Sequence, residues 1–459
     1  MILFDVYNVN TMATSIECIE SARWLVLGNV DSGKSSFVSV IKKNILDDGR
    51  GYARSLITNL PHEKETGRTS NHSHHYVITD NRVTTLIDLC GHEKYMKTTM
   101  FGVTGLFGDY GIVVIGSNMG ISHMTKEHLT LLAANKIPFI IIVTKIDISV
   151  SNVARNIKKD IVRLTKICKK ECLWINEKTV SINKLLDGFT LGQQKIIPVI
   201  FVSNKTGYNI NYVRSLITNA KPRYDILNKQ ESIIENVLDR FPRLKKPSVM
   251  YIDNVYSVPG IGIVVYGIVK YSSIKLGQKM WIGPVNKSYI QVTIKSIRNC
   301  LDNNVTSLSN NESGSFALRF DNKNSYSRST FRKGQILISD FDFAMANTCY
   351  SFSCDISVFN HQSTIRNGYQ SIIHHQTVRQ VAKFYLPEES VLRTGLKQTV
   401  NIKFMIRPEF ILPGNLFMFR DGLTKGMGRV ISTLQFMNDT PEPSMRPKRR
   451  LGRNRCLKN

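Results

Sequence analysis

The chain has 459 residues, 42% of them hydrophobic, which is too much for one ordinary domain and too apolar for a disordered chain; at ~150 residues each, about three domains are expected. Its 61 Lys and Arg stand against 35 Asp and Glu, with 30 basic and 22 acidic residues up to Arg240 and 31 against 13 after it. That field suits a polyanion, either nucleic acid or an anionic membrane surface, and charge alone does not choose between them.

Residues 1–22 carry no basic residue and include Asp5, Glu17 and Glu20, unlike the start of a signal peptide. No run of about 18 apolar residues occurs, so no transmembrane helix is expected. None of the eight cysteines makes a pair with the two-residue gap of a zinc knuckle or redox motif, and they read as reduced thiols in a cytosolic protein.

From residue 24 to about 220, apolar runs at 24–27, 83–89, 112–115, 139–143 and 196–202 alternate with amphipathic stretches. This is the pattern of a mostly parallel sheet with helices on both faces. The first run leads into Gly28-Asn29-Val30-Asp31-Ser32-Gly33-Lys34-Ser35, followed by a helical pattern, which has the spelling and the context of a phosphate-binding loop. Glycines at both ends let successive amides face phosphate oxygens, Lys34 supplies a point charge, and Ser35 offers a hydroxyl to Mg²⁺. The helix N-terminus adds its dipole.

Residues 74–79 and 83–88, joined by Asp80-Asn81, read as a hairpin whose first strand is an antiparallel edge. The second strand runs into Asp88-Leu89-Cys90-Gly91-His92. There the carboxylate can hold Mg²⁺ through water and the Gly91 amide can meet a γ-phosphate. His72, His74 and His75 lack an acidic or thiol partner at metal-ligand spacing. Thr144-Lys145-Ile146-Asp147 follows the 139–143 run, and its aspartate can accept from guanine N1 and N2. A helix over 149–172 carries Val153, Ile157, Ile161, Leu164 and Cys168 on one face and Lys and Arg on the other. Ser203-Asn204, after the 196–202 run, can sit against guanine O6. Four such elements in this order point to GTP rather than ATP.

After residues 242–247 the chain turns to β-branched runs with Gly, Pro and Asn punctuation, continuing to about 436. Two all-β barrels or sandwiches are expected, with a boundary near 340–345. The expected organisation is an extension at 1–22, a GTP-binding domain with linker at 23–240, β-barrels at 241–340 and 341–436, and a basic disordered tail at 437–459.

These motifs, with Gly91-His92-Glu93-Lys94-Tyr95, resemble the translational GTPases typified by elongation factor Tu. More narrowly the chain is similar to the elongation-factor-like family called GTP-binding protein 1 and 2. That match rests on Asp48-Gly49-Arg50-Gly51-Tyr52-Ala53-Arg54, Glu65-Thr66-Gly67-Arg68-Thr69-Ser70, Lys97-Thr98-Thr99, Met124-Thr125-Lys126-Glu127-His128-Leu129, Tyr256-Ser257-Val258-Pro259-Gly260-Ile261-Gly262 and Phe419-Arg420-Asp421-Gly422-Leu423-Thr424-Lys425. The Ile-, Asn- and Lys-rich wording suggests an AT-rich genome, and a short member is reminiscent of one encoded by a giant DNA virus.

The resemblance implies an α/β P-loop GTPase domain followed by two β-barrels. It implies GTP or GDP bound by Gly28 to Ser36, Asp88, Gly91, Thr144, Lys145, Asp147, Ser203 and Asn204. Ser35 and Thr69 would be direct Mg²⁺ ligands and Asp88 an outer-shell one, and His92 would orient the attacking water. Two positions depart from the family pattern: Thr144 stands where translation factors more often have Asn, and Arg68 stands where elongation factor Tu has an apolar residue. The expected function is a GTP-hydrolysing switch on the ribosome, touching rRNA or tRNA, as a cytoplasmic monomer without stable membrane association. The resemblance also admits a GTP-gated RNA-binding adaptor that recruits RNA-decay machinery, with hydrolysis incidental.

Overall fold

The computed structural model describes residues 19–58, 69, 71–79, 82–148, 151–167, 170–175, 182, 185–187, 194–240, 246–320, 326–360, 364–387, 390–421 and 424–434. The Asp80-Asn81 turn, Arg68, Ser70, Cys168 and the basic tail therefore lie outside the described residues. The chain divides into two compact units, one of residues 1–103 and 107–226, the other of 104–106 and 227–459.

The first unit is built on β1 (Ile19–Gly28), β2 (Ser73–Thr79), β3 (Arg82–Asp88), β4 (Tyr110–Gly116), β5 (Phe139–Thr144), β6 (Glu171–Ile175) and β7 (Ile196–Phe201). Its helices include α1 (Lys34–Lys43), α2 (Tyr52–Ser55), α3 (Met96–Gly105), α4 (His123–Ala134), α5 (Ser151–Ile167) and α6 (Ile210–Asn219). The strands form one seven-stranded sheet in the order β2-β3-β1-β4-β5-β7-β6. Only the β2–β3 pairing is antiparallel, and β2 is an edge strand as expected. Central strands β4 and β5 are buried along their whole length, because helices cover both faces of a parallel sheet and no polar alternation is needed. On α5, Ile157, Ile161 and Leu164 are buried while Lys159 and Arg163 face outward.

Two features depart from the sequence reading. β1 begins at Ile19, ahead of the apolar run, because Ile19 and Glu20 pair with Arg82 and Val83 before the register shifts at Arg23. The helix expected over 149–172 ends at Ile167, and Glu171 and Cys172 belong instead to β6, an outer strand of mostly half-buried residues whose strand character depends on its pairing with β7.

The second unit contains two closed six-stranded barrels, so the expected choice between barrels and sandwiches resolves to barrels. The first is formed by β8 (Val249–Val258), β9 (Gly262–Lys270), β10 (Lys279–Val285), β11 (Ser288–Asn299), β12 (Ser313–Phe320) and β13 (Ile336–Ile338). The second is formed by β14 (Ser351–Asn360), β15 (Gln370–His375), β16 (Val378–Tyr385), β17 (Lys397–Phe404), β18 (Leu416–Asp421) and β19 (Thr424–Leu434). Between them a short helix, Phe341–Ala346, is capped by the Asp340 carboxylate. Glu409, wholly buried, accepts from Arg332 Nη2 at 2.7 Å and from Gln380 Nε2 at 2.8 Å. Burial raises its carboxyl above the usual value despite that arginine, as expected for a charge taken out of water.

Among the described residues, no helix is long and apolar enough to cross a membrane, and Cys90, Cys172, Cys300, Cys349 and Cys354 form no disulfide.

Burial makes a pH prediction for the first unit. His75 and His128 are both pushed down from 6.5 to about 3 by desolvation. The unfolded chain takes up protons below about pH 6.5, whereas these rings stay neutral in the fold until about pH 3. Stability is therefore full above that upper value and falls as pH drops, by up to ~1.4 kcal/mol per pH unit for each ring. Denaturation curves of the chain between pH 7 and pH 5 are expected to show this loss, and His128→Leu to flatten it.

Candidate nucleotide-binding site

The loop between β1 and α1 is shaped by three backbone requirements. Gly33 sits at φ +78° as the N-cap of α1, and Phe37 N–H donates to its carbonyl at 2.9 Å. A Cβ on Gly28 would lie 2.7 Å from both Ser32 Oγ and the Val114 carbonyl. A Cβ on Gly91 would run into the Gly28 carbonyl, so the two loops meet backbone against backbone, an approach that only glycine permits. Asn29, Val30, Asp31, Gly33, Lys34, Ser35 and Ser36 line a cavity of about 330 Å³, joined by Thr69, Gly91, His92 and Lys145.

Beside that cavity the polar groups converge. The Lys34 ammonium pairs with Asp88 Oδ1, and both side chains are almost fully buried. Ser35 Oγ donates to Asp88 Oδ2 at 2.8 Å and lies 3.3 Å from Thr69 Oγ1. Two hydroxyls and a carboxylate drawn from three separate segments thus meet at one point. His92 caps the turn that follows, its Nδ1 accepting from Lys94 N–H at 3.1 Å. That bond leaves Nε2 as the ring nitrogen available to a water molecule.

The remaining sequence-selected residues stand behind or beyond the cavity. Thr144 is fully buried, and its hydroxyl donates to the Ser32 carbonyl at 2.6 Å. This departure from the family's more usual Asn thus places a brace under the phosphate-binding loop. Asn204 Nδ2 donates to the Gly33 carbonyl at 3.4 Å, and the exposed Asp147 accepts from Ser203 Oγ at 2.7 Å. Gly28, Ser32, Asp88, Thr144, Asp147, Ser203 and Asn204 do not line the cavity themselves.

Sequence reasoning assigned no site role to several residues that the fold brings here. Thr99 Oγ1 donates to the Cys90 carbonyl at 2.7 Å and Ser117 Oγ to the Lys145 carbonyl at 2.6 Å, each steadying a loop that bears site residues. Asp47, Gly49, Arg50, Gly51 and Arg54 line the cavity. Their signal in the sequence was the Asp48-Gly49-Arg50-Gly51-Tyr52-Ala53-Arg54 motif, which carried the family resemblance without a role in the site. Thr144→Val keeps the volume but leaves the Ser32 carbonyl without its donor. The expected cost is ~1–3 kcal/mol of stability, read by chemical denaturation, with Thr144→Ser close to wild type.

Residues 20–243 match the model for the elongation factor Tu GTP binding domain. The chain is 32% identical to GTP-binding protein 1 of Xenopus laevis over 455 residues, covering 93% of this chain and 65% of that protein. It is 29% identical to human GTP-binding protein 2 over 445 residues, covering 89% of this chain and 68% of that protein. It thus spans about two thirds of the length of these relatives, just under that share for the first. In fold it is similar to a bacterial selenocysteine-specific elongation factor, at TM-score 0.61 and 17% identity, with 90% of this chain and 58% of that one covered. Residues 20–243 thus form an elongation factor Tu-type GTP binding domain, two β-barrels follow it, and the chain is a homologue of GTP-binding proteins 1 and 2.

Proposed function

We propose that this chain is a Mg²⁺-dependent, GTP-hydrolysing switch of the translation-factor type that acts on the ribosome. The observation that carries this reading is the convergence of Ser35, Thr69 and Asp88 beside a cavity also lined by Lys34 and His92. The donor set fits Mg²⁺: all its atoms are hard oxygens, and they are too few for an all-protein cage, as suits an ion that keeps water and takes phosphate oxygens. Ser35 and Thr69 would hold the ion directly and Asp88 through water. When bound, it would neutralise charge on the β- and γ-phosphates.

The chain's own residues supply the rest. Amides of the 28–35 loop and the dipole of α1 receive the phosphates. Lys34, now on Asp88, would exchange its ammonium onto the β- and γ-oxygens. His92 Nε2 orients the water whose oxygen bonds to the γ-phosphorus as the bridge to the β-phosphate breaks, leaving GDP and inorganic phosphate. Asp147, held by Ser203, accepts from guanine N1 and N2. Thr69 would couple this chemistry to shape, since the γ-phosphate would order the segment that carries it.

Ribosome, rRNA and tRNA are the partners that best suit the excess of 31 basic over 13 acidic residues after Arg240, together with the likeness in fold to a selenocysteine-specific elongation factor. A cytoplasmic monomer is the state proposed. The test is GTP turnover with and without purified ribosomes: several-fold stimulation is expected, and intact GTP binding without stimulation would refute the ribosomal role. His92→Ala is expected to lower stimulated turnover ~10²–10⁴-fold, while GTP affinity, measured by titration, stays within about threefold. Removing Mg²⁺ with a chelator should abolish turnover in the wild type.

A further inference from the structure

The segment between α1 and α2 has a role that the functional reading above leaves unused. It is fixed by its own backbone. Asp47 N–H donates to the Asn204 carbonyl at 2.9 Å, and Asp47 Oδ1 accepts from Ala53 N–H at 2.8 Å. Asp48 Oδ1 accepts from the amides of Arg50 at 2.7 Å and Tyr52 at 3.1 Å. These amides hold the Asp48 carboxyl below its ordinary value. Gly49 and Gly51, at φ +86° and +96°, supply the left-handed turns that a side chain would strain. α2 packs against α1.

On this frame Arg50, exposed, and Arg54, half-buried, line the same cavity as Gly33, Lys34, Ser35 and Lys145. We infer that Arg50, with Arg54 beside it, is a clamp in cis on the diphosphate shared by GDP and GTP. A guanidinium offers a planar fork of donors that matches phosphate oxygens two at a time, and two of them add positive charge to the wall that also carries Lys34 and Lys145. The bonds that fix the segment run to Asn204, to its own carboxylates and to the start of α2, none of which belongs to the γ-phosphate end of the site. The clamp therefore stands in the same place with either nucleotide, and its effect is retention of both rather than a contribution made only during hydrolysis.

This rests on the cavity holding a guanine nucleotide, and the experiment separates the two claims. Release of fluorescent mant-GDP and of a mant-labelled, non-hydrolysable GTP analogue is followed by stopped flow from the full chain, from Arg50→Ala and from Arg50→Lys. Arg50 is exposed, so its truncation removes no core packing. Arg50→Ala is expected to speed release of both nucleotides by about tenfold or more and by similar factors, with Arg50→Lys in between and Arg50→Ala/Arg54→Ala faster still. If the wild type binds mant-GDP and Arg50→Ala releases it at the wild-type rate, the clamp is wrong while the nucleotide site stands. Acceleration confined to the GTP analogue would also overturn it, since that would place Arg50 at the γ-phosphate. A wild type that does not bind mant-GDP removes both claims.

Discussion

The site depends on a register. In the parallel sheet Val26 lies opposite Asp88, Gly28 opposite Val114, Gly116 opposite Thr144 and Val143 opposite Phe201. Five strands from widely separated stretches of chain therefore end along one edge, and the loops that leave them are forced together. Parallel strands have this property because every crossover returns the chain to the same end of the sheet, so all carboxyl ends share one rim. The contact between Asp88, Lys34 and Ser35 is a direct result. A slip of one residue between β1 and β3 would turn Asp88 to the opposite face and separate the three groups.

Around that rim the chain directs side-chain hydrogen bonds at loop carbonyls. Thr144 reaches Ser32, Thr99 reaches Cys90, Ser117 reaches Lys145 and Asn204 reaches Gly33. Each acceptor is a backbone group on a loop that carries site residues, and a buried carbonyl left without a donor is costly. The loops are thereby held in place by partners that do not themselves line the cavity. The segment around Asp47 and Asp48 follows the same logic with carboxylates as acceptors and amides as donors. In the second unit the buried Glu409 and Gln380, with the half-buried Arg332, apply it again between barrel elements far apart in sequence.

Legibility in the sequence followed locality. The 28–35 loop could be read because phosphate chemistry needs its glycines, lysine and serine adjacent in the chain, and the central strands because full burial demands unbroken apolar runs such as Phe139-Ile140-Ile141-Ile142-Val143. β6 could not be read, since its five residues are strand-like only when β7 pairs with them. Thr144 was expected at the site from its motif, and its role as a brace was not legible, because its acceptor lies 112 residues earlier. Arg50 and Arg54 stood out as part of a motif without a purpose, since their relation to Lys34 and Lys145 comes from folding.

By itself the sequence determined the class of the first unit, the presence of a phosphate-binding loop, the β character of the second half and the uneven distribution of a +26 charge. These follow from periodicity, composition and short-range spacing, which need no partner strand to be expressed. Only the tertiary structure decided that Ser35, Thr69 and Asp88 meet within hydrogen-bond range, that the second half closes into two six-stranded barrels, and that the 47–54 segment faces the nucleotide cavity. The physical reason is that strand pairing and crossover direction set distances between residues that the chain itself keeps apart, and no local preference encodes them.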